Sequence, residues 1–289
     1  MKAIVFGANG GLGKTFQAHV QKTEYKGDWT FLSHQDLDIK DEVAARARIQ
    51  VLKPHLVINA AAYNAVDKAE TEKEEAFAIN AEAVGRLAKI CADNKIPFIT
   101  YSTDYVFDGQ ESLPYKEKDP TNPLSVYGQS KLEGEKQALA YPTSTVLRTS
   151  WLYSESGKSF PKFILEKILA DEPLKIVNDQ IGSPTFALDL MRATLKIYAL
   201  GVNGLLHFAG SGHTSWHGLA CETVEIYNKK KNRNLLLPEA ISSDQYPQKA
   251  KRPSYSVLCS DRIRKRSILT RPWKMALEDY VDSLIRSGL

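Results

Sequence analysis

Cysteine is scarce in this 289-residue chain: Cys91, Cys221 and Cys259 are odd in number and have no paired spacing. There is no Cys-x-x-Cys and no His/Cys cluster, which argues against zinc, and three reduced thiols fit the cytoplasm better than a disulfide framework. No apolar stretch approaches the ~20 residues of a membrane-crossing helix. The first residues enter a strand-like segment without a charged leader and cleavage site. A cytoplasmic location without membrane contact is therefore expected. Excess charge is lacking too, with a formal net charge of only +4. The most basic stretches, Lys229-Lys230-Lys231 and Arg262 to Arg266, lie far apart and carry no interleaved stacking aromatics. Nucleic acid is thus not expected as a partner. Repeats, low-complexity tracts and flexible linkers are absent. What remains is an ordinary globular composition, 43% hydrophobic and 25% charged, long enough for one large domain or two intimate ones.

Short apolar runs alternate with helical patterns through the first half. Strands are expected at Ala3 to Phe6, Trp29 to Leu32, His55 to Asn59, Pro97 to Tyr101 and Thr145 to Arg148. Helices are expected at Leu12 to Lys22, Val43 to Leu52, Glu74 to Asn94 and around Tyr127 and Lys131. This alternation predicts an α/β fold, a Rossmann-type doubly wound parallel sheet. Beyond Trp151 the pattern loosens, with helices at Phe160 to Leu169, Ala187 to Ala199, from Ser215 and at Trp273 to Ile285. Residues 1–150 are expected to form a dinucleotide-binding domain, rejoined by a segment near 200–210. Residues 151–289 are expected to form mostly a smaller, intertwined substrate-binding domain or lid.

Gly7-Ala8-Asn9-Gly10-Gly11-Leu12-Gly13 follows the first strand and opens the first helix. A helix N-terminus offers unpaired N–H groups and positive dipole to a pyrophosphate, and glycine lets the backbone approach it. The spacing is G-x-x-G-x-x-G rather than G-x-G-x-x-G. After the second strand stand Ser33 and His34, neutral where a carboxylate would repel a ribose phosphate, so NADPH is expected, with NADH possible. Asp38 suits either the adenine side or capping of the helix near Val43. Ala60, Ala61 and Ala62 are small enough for a cofactor to lie against, or for a crossover helix to pack on.

Tyr127 and Lys131 are four residues apart, on one face of a helix. A cation within ~5 Å of a phenol favours the phenolate by roughly 3 kcal/mol at a dielectric of ~20, about two pKa units. Such a pair suits proton transfer at neutral pH. The polar stretch Tyr101-Ser102-Thr103-Asp104-Tyr105 precedes it. Thr103 also fits a plain strand-end turn.

Taken together these pieces resemble the extended short-chain dehydrogenase/reductase family. The resemblance spans nearly the whole chain and rests on six segments in order: Asn59 to Tyr63 with Ala65 to Glu70, Tyr101 to Gly109, Tyr127 to Lys131, Arg148 to Trp151, Asn178 to Thr185, and Lys251 to Pro253. It is closest to the branch that reduces the C4 keto group of dTDP-4-dehydro-L-rhamnose to dTDP-L-rhamnose. The resemblance implies that Thr103 holds the substrate carbonyl and Tyr127 supplies the proton. Lys131 would bind the nicotinamide ribose and lower the phenol pKa. Asp104 and Trp151 would touch the substrate, although Trp151 also fits a core position. Gly7, Gly10, Gly11, Leu12, Gly13, Asp38, Ile39, Ala60, Ala61, Ala62 and Tyr63 would line the cofactor. Asn64 would join them, although the family usually has Thr there. Arg252 could pair with the nucleotide diphosphate or be a surface arginine.

Some members hold Mg²⁺ at a dimer interface through glutamates. The aligned residues here are Thr15 and Leu188, which cannot ligate a hard cation. No metal is expected, and the chain should be a monomer or a metal-independent homodimer with a nucleotide sugar as its partner. Two alternatives stand beside the main expectation. One is a sister nucleotide-sugar 4-ketoreductase or epimerase. The other is a non-catalytic regulatory subunit resembling the beta subunit of methionine adenosyltransferase, which would have no need of Tyr127 and Lys131.

Overall fold

Alternation of side chains across each strand decides the layering. The computed structural model describes residues 1–289. It begins with β1 (Lys2–Phe6), α1 (Gly11–His19), β2 (Asp28–Leu32), α2 (Glu42–Leu52) and β3 (Leu56–Asn59). A helical run follows: α3 (Val66–Ala69), α4 (Lys73–Phe77), a π-turn over Ala78–Glu82, and α5 (Ala83–Asp93). Next come β4 (Phe98–Thr103), α6 (Val126–Leu139) and β5 (Ser144–Thr149). The chain then forms β6 (Leu152–Tyr153), α7 (Phe160–Leu169), β7 (Lys175–Val177), β8 (Ile181–Gly182), β9 (Thr185–Phe186) and α8 (Ala187–Ala199). It closes with β10 (Gly204–His207), β11 (Thr214–Ser215), α9 (Trp216–Lys231), β12 (Glu239–Ile241), α10 (Asp261–Arg264) and α11 (Trp273–Arg286).

Six strands form a parallel sheet in the order β10-β5-β4-β3-β1-β2. Ala3 and Val5 face one layer with Leu12 and Phe16 of α1 and Leu190 and Met191 of α8. Ile4 and Phe6 face the other with Ala45 and Ile49 of α2 and Leu87 of α5. The doubly wound α/β expectation is met. Strand order reverses between β1 and β3, and α/β sheets bind ligands at the carboxyl ends of strands beside such a switch point.

Two helical expectations change in detail. The first helix ends at His19 and tightens into a 3₁₀ turn over Val20–Lys22. The long helix expected from Glu74 is interrupted by the π-turn, which carries the buried Asn80. Outside the large sheet, Leu165, Phe186, Leu219, Tyr280 and Leu284 form a separate core among α7, β9, α9 and α11.

Candidate active site

The glycine turn needs glycine for contact reasons that differ by position. Gly7 has φ +82°, and a Cβ there would lie 2.4 Å from the Ala61 nitrogen. At Gly13 a Cβ would lie 2.3 Å from the Gly7 oxygen. These two residues hold α1 tightly against β1 and the end of β3. Gly10 differs: an added Cβ would touch only the Gly7 oxygen, at 3.4 Å. Gly10 is also the N-cap of α1 and offers no side-chain cap, so first-turn N–H groups stay bare. Gly10, Gly11 and Leu12 line a cavity of about 380 Å³. The bare donors and open backbone face fit a dinucleotide pyrophosphate.

Ala60, Ala61, Ala62 and Asn64 line the same cavity, as do Thr103, Asp104, Tyr127, Lys131 and Trp151. Tyr127 and Lys131 lie in the first turns of α6, whose N-cap Ser125 accepts from the Gly128 N–H at 3.2 Å. Gly128 lets that end approach the turn that follows β4, because a Cβ would lie 2.3 Å from the Tyr105 oxygen. Thr103 ends β4, accepts from the Tyr105 N–H at 3.1 Å and donates to Asp104 Oδ1 at 3.1 Å. It is therefore both a turn residue and a cavity residue. A second cavity of about 300 Å³ shares Asn64, Thr103, Asp104, Tyr127 and Trp151 and adds apolar walls from Tyr105, Phe160 and Trp216. Trp151 has φ +47° and stacks on Trp216 with centroids 3.7 Å apart.

The electrostatics differ from the sequence expectation at one point. Burial pushes the Tyr127 phenol up to about 12, and the nearby Asp104 carboxyl adds to this while Thr103 opposes it. The expected lowering by Lys131 is not present. That ammonium donates to the Tyr101 carbonyl at 2.5 Å, and burial brings its own pKa down to about 8. Asp104 is pushed up to about 7, chiefly by burial.

Other candidate residues lie away from the cavity walls. Asp38 accepts from the Lys40 N–H at 2.9 Å, in a separate groove with His34, Asp36 and Arg48. The cap of α2 is Asp41, not Asp38. Ile39 is buried in the sheet core. Tyr63 donates to Glu72 at 2.6 Å, and its N–H bonds to Asn80 at 2.9 Å. Arg252 is no free surface arginine: its guanidinium bonds Asp67 at 2.8 Å, and Asp67 also accepts from the Lys249 and Ala250 N–H groups. Thr15 bonds back to the Gly11 carbonyl, and Leu188 packs beside the sheet core. No group of three or more His, Cys, Asp or Glu residues is placed to hold a metal ion.

The family model described as RmlD substrate binding domain matches residues 1–286. The chain belongs to this family. A dTDP-4-dehydrorhamnose reductase of Sinorhizobium fredii is 36% identical over 297 residues, covering 100% of this chain and 99% of the relative. A probable dTDP-4,6-dihydroxy-2-methyloxan-3-one 4-ketoreductase of Streptomyces antibioticus is 37% identical, covering 99% and 96%. The crystal structure of a Bacillus anthracis dTDP-4-dehydrorhamnose reductase in complex with NADP is 32% identical, with a TM-score of 0.90, covering 97% and 99%.

Several site residues escape sequence reasoning even with this family in view. Ser154 and Lys158 line the cavity from the loop after β6; the neighbouring Gly157 was the only local signal. Asn80 donates to Ser130 Oγ at 3.0 Å and to the Tyr63 carbonyl at 3.0 Å, tying the loop after β3 to α6. Its polarity within the apolar face of Ile79 and Ala83 was the available clue.

Proposed function

We propose that the chain is an NADPH-dependent reductase that converts the C4 keto group of dTDP-4-dehydro-L-rhamnose to the alcohol of dTDP-L-rhamnose. The carrying observation is that Thr103, Tyr127 and Lys131 face one cavity that also receives the bare N-terminus of α1. The full-length relatives of that name and the NADP in the Bacillus anthracis structure support it.

In this proposal Gly10, Gly11 and Leu12 bind the pyrophosphate through N–H groups, with Gly7 and Gly13 setting their position. Ala60, Ala61 and Ala62 give the cofactor a flat wall, while Tyr63 and Asn64 shape the adjoining loop. Asp38 is assigned to the adenosine side from its groove beside His34, with Ile39, buried in the sheet core, next to it in the chain. Bound there, the reduced nicotinamide supplies the hydride. Tyr127 is protonated at neutral pH, the form needed to donate to the developing C4 oxygen. Thr103 orients the carbonyl, and Lys131 holds the nicotinamide ribose. Trp151 and Asp104 contact the sugar, and Arg252 stands near the diphosphate. Residues 1–150 chiefly serve the dinucleotide and residues 151–289 the substrate. No helix is long and apolar enough to cross a membrane. We place the enzyme in the cytoplasm, as a monomer or metal-independent homodimer.

NADPH oxidation against a panel of nucleotide 4-keto sugars tests this. Fastest turnover with dTDP-4-dehydro-L-rhamnose supports it. Preference for another keto sugar favours a sister ketoreductase, for which the Streptomyces relative is the specific pointer. Interconversion of sugar epimers without net NADPH loss would indicate an epimerase. NADPH binding without turnover of any sugar would favour a regulatory subunit.

A further inference from the structure

The cavity that receives the N-terminus of α1 is walled on one side by the loop that follows β6. That loop lies on Gly11: a Cβ added there would stand 2.4 Å from Ser154 Oγ and 3.5 Å from the Ser156 carbonyl oxygen. Ser154 donates to the same Ser156 carbonyl at 2.7 Å. Glu155, between them, reaches His19 at the far end of α1, with Oε2 2.9 Å from Nε2. Gly11 and His19 are separated by two i,i+4 steps and so share one face of the helix. The loop is thus tied to both ends of that face. Two residues beyond Ser156, Lys158 lines the cavity together with Gly10, Gly11 and Leu12.

Lys158 is the cation that this end of the cavity otherwise lacks. The turn from Gly7 to Gly13 carries no charged side chain, and Lys14, which follows, does not line the cavity. The other cavity lysine, Lys131, is bound to the Tyr101 carbonyl. A helix N-terminus amounts to roughly half a positive charge, less than a pyrophosphate calls for. The neighbouring Lys162 and Lys167 are paired with Glu166 and Glu172. No carboxylate pairs with Lys158, which is exposed. We propose that Lys158 is a phosphate-binding residue for the dinucleotide, its ammonium meeting the pyrophosphate at α1, with the His19–Glu155 pair positioning the loop that carries it. Lysine suits this as a compact, mobile point charge. The proposal rests on the reductase reading above and adds a cofactor contact from the half of the chain that chiefly serves the substrate.

Two other phosphate groups share this chemistry: the 2′-phosphate of NADPH and the diphosphate of the nucleotide sugar. The observations favour the pyrophosphate over both. The groove assigned to the adenosine side is lined by His34, Asp38 and Arg48, and not by Lys158. The cavity with apolar walls, bounded by Trp151 and Trp216, does not include Lys158 either. What Lys158 does share is a cavity with the bare N–H groups of α1.

The test is the Kd of NADPH and of NADH, followed by nicotinamide fluorescence, together with the KM of the keto sugar. NADH keeps the pyrophosphate and lacks the 2′-phosphate. Lys158→Ala should weaken both dinucleotides about 10-fold and flatten the loss of affinity with added salt. Lys158→Arg should stay within a few-fold of wild type. His19→Ala should weaken both about 3-fold, and this effect should vanish in the Lys158→Ala background, where nothing is left to position. An additive loss in the double variant would overturn the positioning role. A Lys158→Ala loss for NADPH alone would assign the ammonium to the 2′-phosphate and overturn the proposal. So would unchanged affinity for both dinucleotides, which with a raised KM would assign Lys158 to the nucleotide sugar. Wild type that binds both dinucleotides but turns over no keto sugar would fail the reductase reading, while the affinity ratios still decide this one.

Discussion

The Lys131 ammonium is anchored on the main-chain carbonyl of Tyr101, 2.5 Å away at the middle of β4, and makes no hydrogen bond to the Tyr127 phenol. A lysine so placed spans the gap between α6 and the sheet. Lys131 is not among the groups acting on the phenol, and burial leaves Tyr127 at about 12. The surroundings of the Tyr127 phenol thus push it away from ionisation rather than towards it.

Replacing Tyr127 by Phe keeps the ring and its edge-to-face contact with Tyr105, 6.0 Å between centroids, and removes only the hydroxyl. The expected result is a loss of about 10³ in kcat with NADPH affinity within a few-fold. Stopped-flow turnover and fluorescence titration would measure the two quantities. A mutant with comparable turnover would remove Tyr127 as the acid.

Lys131 supplies a pH test of cofactor binding. Its ammonium is brought down to about 8 by burial, and Glu135, one helical turn away, acts in the opposite direction. The charged form therefore prevails below about 8 and is lost as pH rises through it. NADPH affinity should be level on the acid side of that value and weaken above it. Glu135→Gln should move the weakening to lower pH, and Lys131→Ala should abolish the dependence while reducing both affinity and rate. Titrations of NADPH fluorescence across that range decide it; an unchanged affinity above the transition would mean that the ammonium does not hold the cofactor.

Much of the site was legible from local chemistry. Gly7 and Gly13 of the turn must be glycine because neighbouring backbone lies within 2.5 Å of an added Cβ, and the sequence signals that directly. The i,i+4 spacing of Tyr127 and Lys131 likewise survives folding unchanged. Partnerships across the chain were not legible. Ser256 meets Asp104 from 152 residues away, and Arg252 meets Asp67 from 185 residues away. No periodicity encodes such contacts, which arise when the segment 248–258 folds back over α3 and the end of β4. The direction of the Tyr127 shift was misjudged for the same reason. Spacing gives a distance to Lys131, but burial depends on everything packed around the ring.

Glu135 and Arg148 make a bidentate pair at 2.8 and 2.7 Å, each side chain 3% exposed. The guanidinium also lies over the Phe107 ring, 5.0 Å from its centroid. Removing one partner leaves the other charge buried and alone, at a cost of about 3–5 kcal/mol. Glu135→Ala should show that loss as a lower urea midpoint with an unchanged slope. The double variant Glu135→Met with Arg148→Met should recover most of it, since no charge is left uncompensated. A double variant no better than the single one would mean that packing, not charge, carries the cost.

Trp151 holds a left-handed backbone conformation, φ +47°, that is unfavourable for a bulky side chain. Its indole is fixed by two neighbours. Trp216 stacks on it at 3.7 Å with planes 9° apart, and Gly182 admits it so closely that a Cβ would lie 2.4 Å from the ring. Phe160 then packs edge-on against Trp216 at 4.8 Å. Trp216 thus holds Trp151 in the wall that the two cavities share, without reaching the one lined by Gly10 to Leu12. Trp216→Ala should free Trp151 and raise the KM for the keto sugar about 10-fold, equivalent to about 1.4 kcal/mol. It should leave kcat within a few-fold and NADPH affinity unaltered, and Trp216→Phe should keep most of the wild-type KM. Steady-state kinetics with saturating NADPH separate these outcomes. An unchanged KM for Trp216→Ala would show that the strained Trp151 needs no stacking partner to shape the substrate wall.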